Sequence, residues 1–322
     1  MNTTVTAAQT TRTTRPRMLH GLTWLVLRQH RAAFGGLLAL TVLGSVWIVL
    51  QRGRMIDLLE AGGWPERTVP LPVVDDAYGS LTTLLGLLPG VIAVFIGAPL
   101  IAADQEQGTA QLVTTQSVTR RRWLIAKLGW CYLITLVACS ALSAVFTWWY
   151  RPYHSVMPDI WMDPSAFDTT GPVLPALALF LTAAGVTIGL LLRRVLASMV
   201  VTFFFAVATQ TVWGMFRDHL APTRTLRYPL DGEFPARLDD AYEVDRWFGS
   251  ADGRLFGWGS CAEQTEKATN ACIAEKGIVD NVVEFLEFDQ MAGMQWAGAG
   301  ILLAGTVALT AFALWWASRR PL

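Results

Sequence analysis

Apolar residues in this chain gather into six long stretches, at 32–50, 77–103, 128–150, 173–192, 195–216 and 291–318, and none of the six contains Asp, Glu, Lys, Arg or His. An α-helix rises about 1.5 Å per residue, so crossing about 30 Å of hydrocarbon takes about 20 apolar residues. Each stretch meets that requirement, and the reading is an all-α membrane protein with six transmembrane helices. The competing reading is a soluble chain with six buried helices; the loss of charge from all six windows at once speaks against it.

The polar positions organise what lies between. Residues 1–16 are rich in Thr and lack an apolar core, so they read as a disordered tail, not a secretory signal. In 17–31, Met18, Leu22, Leu25 and Val26 share a helical face while Arg17, Arg28 and Arg31 lie elsewhere. That pattern fits an amphipathic helix lying in the membrane interface, or else an extension of the first span. The 51–76 connection, with GGWPERTVPLPVVDD, reads as irregular or as a short cap, and Pro89-Gly90 as a kink in the second span. Only Arg193-Arg194 separates spans four and five, which predicts a tight antiparallel hairpin. Segment 217–290 is the one connection long enough for a small folded domain. Near its end, NVVEFLEFDQ puts Val282, Phe285 and Leu286 on one helical face and predicts a short interfacial helix leading into span six, 291–318.

Charge orients the bundle. The chain is 16% charged with a net charge of zero, against about 25% charged in soluble domains. If the N-terminus is cytoplasmic, the inner segments hold Arg12, Arg15, Arg17, Arg28, Arg31, Arg120, Arg121, Arg122, Lys127, Arg193, Arg194, Arg319 and Arg320, with Asp104 and Glu106 as their acids. The two short outer loops hold Arg52, Arg54, Arg67 and Arg151. This asymmetry places both termini, including the tail 319–322, in the cytoplasm. It puts 217–290, with 15 acids and 8 bases, outside. Cys261 and Cys272 then face an oxidising compartment and can close a disulfide; two free thiols are the alternative. Cys131 and Cys139 fall inside span three as small apolar residues.

The candidate chemistry is sparse. Ion-coupled carriers and intramembrane hydrolases need acids, bases or metal ligands at or within the membrane, and the six windows hold none. His20, His30, His154 and His219 all lie outside them, and a lone exposed His more often belongs to a solvated surface. No catalytic residue is assigned. No CxxC or Cys/His cluster suggests a metal. None of the three lysines stands in GxxxxGK[ST], so this chain does not cradle the phosphates of ATP.

One connection is distinctive. Between spans two and three runs ADQEQGTAQLVTTQSVTRRRWLIAKL. Its Asp104, Glu106, Gly108, Thr109, Leu112 or Val113, Ser117, Thr119 and the run Arg120, Arg121, Arg122 resemble the coupling loop of type-2 ABC export permeases. That pattern is close to E-x-E-x-G-T-x-x-x-L followed by a Pro-containing turn and Ser/Thr-Arg. Asp104 stands where Glu is commoner, and Ser117 where Pro is commoner. The wording TQSVTRRRWL, and the excess of Arg over Lys, are similar to actinobacterial members. Read by their own chemistry, Gly108 permits a turn and Thr119 caps the third helix. Arg120–Arg122 meet headgroups. The two acids pair with basic residues either on this chain or on a partner.

The resemblance implies a permease subunit of the bacterial inner membrane, not an enzyme. It implies no cofactor in this chain, with ATP and Mg bound by a separate ATPase, a second permease copy or homologue as partner, and no nucleic acid. It implies export of a hydrophobic or amphipathic substrate such as a drug, antibiotic, peptide or lipid by alternating access, with loop 104–122 resting on the ATPase. Spans two and five would line the pathway. Phe95 in span two, and Thr202, Phe205, Thr209 and Trp213 on one face of span five, are its candidate lining; the same face also suits ordinary interhelix packing. The alternative function is a non-transporting sensor or assembly factor that binds through 217–290.

Overall fold

The computed structural model describes residues 22–67, 72–108 and 119–319. The expectations for the tail 1–16, for Thr109 and the middle of the loop, and for 320–322 fall outside those residues. Six helices are long and apolar enough to cross a membrane: Arg31–Gly62, Val74–Glu106, Arg120–Val156, Val173–Leu192, Val195–Leu220 and Phe288–Arg319. Each contains one of the six apolar stretches, and they are spans one to six below.

Span four is the centre of the bundle. Spans two, three, five and six all pack on it. Its sequence permits this because small residues let backbones close up. A Cβ on Gly185 would lie 2.7 Å from the carbonyl oxygen of Ala93 in span two, and one on Gly189 would run into the carbonyl of Ala98. Backbone contact of this kind is how a small-xxx-small pair replaces the hydrophobic effect inside a bilayer.

Span two is broken where it meets span four. The α-helix Pro72–Ile92 contains Pro89, the expected kink site, and continues past it to Ile92. The break is a π-turn at Ala93–Gly97, closed by Ala98 N–H to the Ala93 carbonyl at 2.8 Å. Pro99 opens the next segment, Pro99–Glu106. Proline has no N–H and crowds the carbonyl four residues back; one extra residue in the turn relieves both problems.

Span one also differs from expectation. The helix does not stop near residue 50 but runs to Gly62, where Gly63 (φ 81°) ends it in the left-handed conformation. Met55 and Leu59 continue its buried stripe while Arg52 turns out to stack on Trp148 at 3.9 Å. The charged positions lowered hydropathy without breaking the helical period. The connection read as irregular is therefore much shorter than 51–76.

The all-α expectation is overturned in the C-terminal part. Strands β1 (Arg224–Pro229), β2 (Tyr242–Ser250), β3 (Leu255–Gly257) and β4 (Ile278–Leu286) form an antiparallel sheet of order β1-β4-β2-β3. The segment read as an interfacial helix is mostly β4, the strand between β1 and β2. Its β-branched Ile278, Val279, Val282 and Val283 favour extended backbone, and both faces are covered. Val283 and Phe285 pack with Leu238, and Ile278 packs with Phe248 and Cys261. A helix at Glu266–Glu275, capped by Thr265, is joined back by the Cys261–Cys272 disulfide.

The sheet is fastened to one end of the bundle. Trp161 donates to the Asp240 carbonyl at 3.0 Å, and His154 stacks on Phe288 at 3.9 Å. Glu287 receives both Arg224 and Arg237 at the entry to span six. Gln295 of span six, buried, donates to the Phe167 carbonyl at 2.9 Å and the Thr170 hydroxyl at 2.8 Å. The opposite end carries the helix Leu22–Gln29, the end of span two, the start of span three and the turn at Arg193-Arg194. In that N-terminal helix Val26 is buried and Leu25 exposed.

Candidate functional site

The loop end gathers the residues that the sequence singled out. Span two finishes in Asp104, Gln105 and Glu106, and Gly108 (φ 72°) follows them in the left-handed conformation. Asp104 is buried and ion-paired with Lys127, one side chain from each end of the loop. Lys127 is fully buried, and it also donates to the Leu100 carbonyl at 3.0 Å. Gln29 of the N-terminal helix donates to Asp104 Oδ1 at 2.8 Å. One carboxylate thus ties together the N-terminal helix, span two and span three.

Glu106 does a second job. Its Oε2 accepts the backbone N–H of Val195 at 2.7 Å. Val195 begins span five, so the carboxylate satisfies an amide that has no partner inside its own helix and sits at the positive end of the helix dipole. The end of span two is hence linked to span five as well. Within this chain, Asp104 meets Lys127 and Glu106 meets a helix start. Arg121 and Arg122 are exposed and Arg120 half-buried, with Thr119 capping the helix by accepting the Arg122 N–H at 3.4 Å. Thr109 lies outside the described residues.

His30 sits beside this cluster. Its Nε2 is buried without a hydrogen bond, and its ring lies 5.6 Å from that of Phe34. Burial, and after it the Lys127 ammonium, push its pKa down to about 4, with Asp104 opposing. At neutral pH the imidazole is uncharged.

The residues read as pathway lining do not form one surface. Thr202 is fully buried, where its methyl group closes on Gly185. Trp213 is buried with its ring over Gly298 of span six, and its indole N–H donates to Asp168 at 2.7 Å. Burial raises the Asp168 pKa, against the opposing Trp213 hydrogen bond and the Arg217 charge. Phe205 is partly exposed and 6.2 Å from Phe180, Thr209 is half-buried, and Phe95 is 62% exposed. The helical period put Thr202, Phe205, Thr209 and Trp213 on one stripe, but packing divides that stripe between contacts to spans four and six and an open face.

Sequence reasoning missed Lys127, Gln29 and the Val195 amide as parts of the loop-end cluster. Lys127 looked like one more charge of the basic run. The available signal was its place two turns past the Thr119 cap, at the depth where Asp104 ends the preceding span.

Over residues 38–217, more than half of its length, the chain matches the family described as ABC-2 membrane transporter related. It belongs to that family. This ABC-2 protein is a multi-pass membrane transport subunit, the permease type, and not a catalytic one. The match runs from within span one to within span five, across the connection between spans two and three, and ends before the sheet. No curated protein and no solved structure matches the chain.

Proposed function

We propose that this ABC-2 permease is the transmembrane half of an ATP-driven exporter of a hydrophobic or amphipathic substrate in a bacterial inner membrane. A separate ATPase binds ATP and Mg, and a second permease copy or homologue completes the complex. The loop end and both termini face the cytoplasm, in keeping with the basic residues gathered there. The N-terminal helix then lies at the inner interface.

The observation that carries the reading is the wiring of Asp104 and Glu106 at the loop end. Movement of the loop by an ATPase reaches span three through Asp104–Lys127, the N-terminal helix through Gln29, and span five through Glu106 and the Val195 amide. The acids act as internal tie-bars, and Gly108, Thr109 and the arginines Arg120–Arg122 are left to meet the ATPase. Phe95 and Phe205, the open members of the candidate lining, face the pathway or the second permease. The folded sheet domain favours a second reading, a sensor or assembly factor working through 217–290.

Gentle purification of the full chain from its native host should bring down a stoichiometric Walker-motif ATPase. In the reconstituted complex, Glu106→Ala should keep ATP hydrolysis while lowering transport several-fold, because span five no longer follows span two. Recovery without an ATPase would favour the sensor; transport unchanged in Glu106→Ala would remove the tie-bar role.

A further inference from the structure

Beside spans three, four and six, next to the sheet, lies a groove of about 880 Å³. That is within the roughly 300–1,000 Å³ of small-molecule sites. It is distant in the fold from the loop-end cluster and contains none of the candidate pathway residues. Three properties define what it accepts.

First, its floor makes few polar demands. Ser143 donates to the Gly171 carbonyl at 2.7 Å, Thr147 to the Ser143 carbonyl at 2.6 Å, and Thr170 to the Ala166 carbonyl at 2.6 Å. The Gln295 amide N–H groups are spent on Phe167 and Thr170. These satisfied donors leave an area that an apolar chain can cover without stranding a hydrogen bond, while the Tyr150 hydroxyl, also on the lining, is buried without a partner among the described residues. The remaining wall includes Leu136, Leu179 and Leu303.

Second, its upper end carries one uncommitted charge. Arg151 lines the groove and is exposed, and among the described residues no carboxylate lies within ion-pair distance of it. Asp289, on the same rim, is paired with Arg224 at 3.2 Å. The rim therefore offers a cation. Exposed Trp148 and Trp296 also line the groove, as aromatic side chains do at headgroup level.

Third, the groove ends at the sheet side of the bundle. Pro152, Gly171, Pro172 and Phe288 line it where the bundle meets the sheet. A transmembrane helix of a partner would have to continue past that point to reach water, whereas a molecule with one polar head and an apolar tail ends there.

We infer that this groove binds one phospholipid from the membrane leaflet on the sheet side, with its phosphate on Arg151 and acyl chain along Leu136, Leu179 and Leu303. Arginine suits phosphate because its planar fork of donors matches two oxygens at once. The bound lipid would fill the seam between spans three and six directly under the sheet. This site stands apart from the transport reading and requires no ATPase.

The test is native mass spectrometry of the full-length protein released from mild detergent, with phospholipids identified by fragmentation. The wild-type chain should retain one phospholipid. Arg151→Glu should lower the retained fraction about tenfold, the scale of losing one charge-assisted contact. Ala299→Trp, which fills the groove from span six, should lower it similarly, while Arg254→Glu on the sheet hairpin should not. Unchanged melting temperatures would show that the variants fold. Equal retention by wild type, Arg151→Glu and Ala299→Trp would overturn the site. So would a folded wild-type chain free of lipid, or a retained molecule that is not a phospholipid.

Discussion

Spans four and five are neighbours in sequence, separated by two residues, and nearly equal in mean hydropathy at 2.1 and 1.9. Yet 89% of the apolar window is buried in span four and 17% in span five. Hydropathy says that a segment prefers hydrocarbon to water; it does not say whether protein or lipid will surround it. Residue size decides that. Span four has Gly185 and Gly189 where span two's backbone must pass, and Ala178, Ala183 and Ala184 are buried around them. Span five exposes Leu196, Phe203, Phe204, Met215 and Phe216. Bulky chains on that face hold neighbours off and leave a surface for lipid or for a second permease.

The strongest way to break the comparison is to make span four bulky. Gly189→Leu pushes side-chain atoms into the Ala98 carbonyl, and overpacking costs about 1–3 kcal/mol even where some movement is possible. Here backbone is opposed to backbone, so the expected result is a sharp loss of monodisperse protein in detergent. Phe204→Leu in span five should leave yield and melting temperature of the monomer nearly unchanged. Equal losses in the two variants would mean that span four is not the organising helix.

A second prediction sharpens what sets the buried helices at the loop end. Lys127→Met leaves Asp104 buried without its lysine, and breaking one side of a buried pair costs about 3–5 kcal/mol. Joint replacement, Lys127→Met with Asp104→Leu, should recover part of the loss, since both charges then leave the interior together. A double-mutant cycle on thermal stability reads the coupling directly; simple additivity would contradict a specific pair.

The smallest expected effect is a pH dependence. The His30 pKa lies at about 4 in the folded chain, against about 6.5 unfolded. The unfolded state then binds the proton more readily, so the neutral imidazole's contribution is complete above pH 6.5 and is lost as pH falls from 6.5 towards 4. The melting temperature should decline over that window, and His30→Phe should flatten the decline. A slope unchanged by the substitution would assign it to other groups.

Much of the architecture is legible in the sequence. The six spans, the hairpin at Arg193-Arg194 and the Thr119 cap follow from hydrophobic period, charge and local hydrogen-bonding chemistry, which act within a few residues. The pattern of the connection between spans two and three pointed to a type-2 ABC permease, and the family match agrees at that level. The sheet was misread because Val282, Phe285 and Leu286 satisfy a helical spacing as well as a strand buried on both faces. Only pairing with β1 and β2, from distant parts of the chain, selects the strand.

What the sequence by itself determined, then, is that this chain has six helices able to cross a membrane, because transfer of residues from water to hydrocarbon is a local property, and that it is a permease of the ABC-2 family. Tertiary structure alone decided which span became the core, that Asp104 would face Lys127 and Glu106 the Val195 amide, and that Thr202 and Trp213 would be packed away while Phe95 stayed open. Those outcomes depend on which backbones can approach each other, and that is settled by the shapes of several helices together.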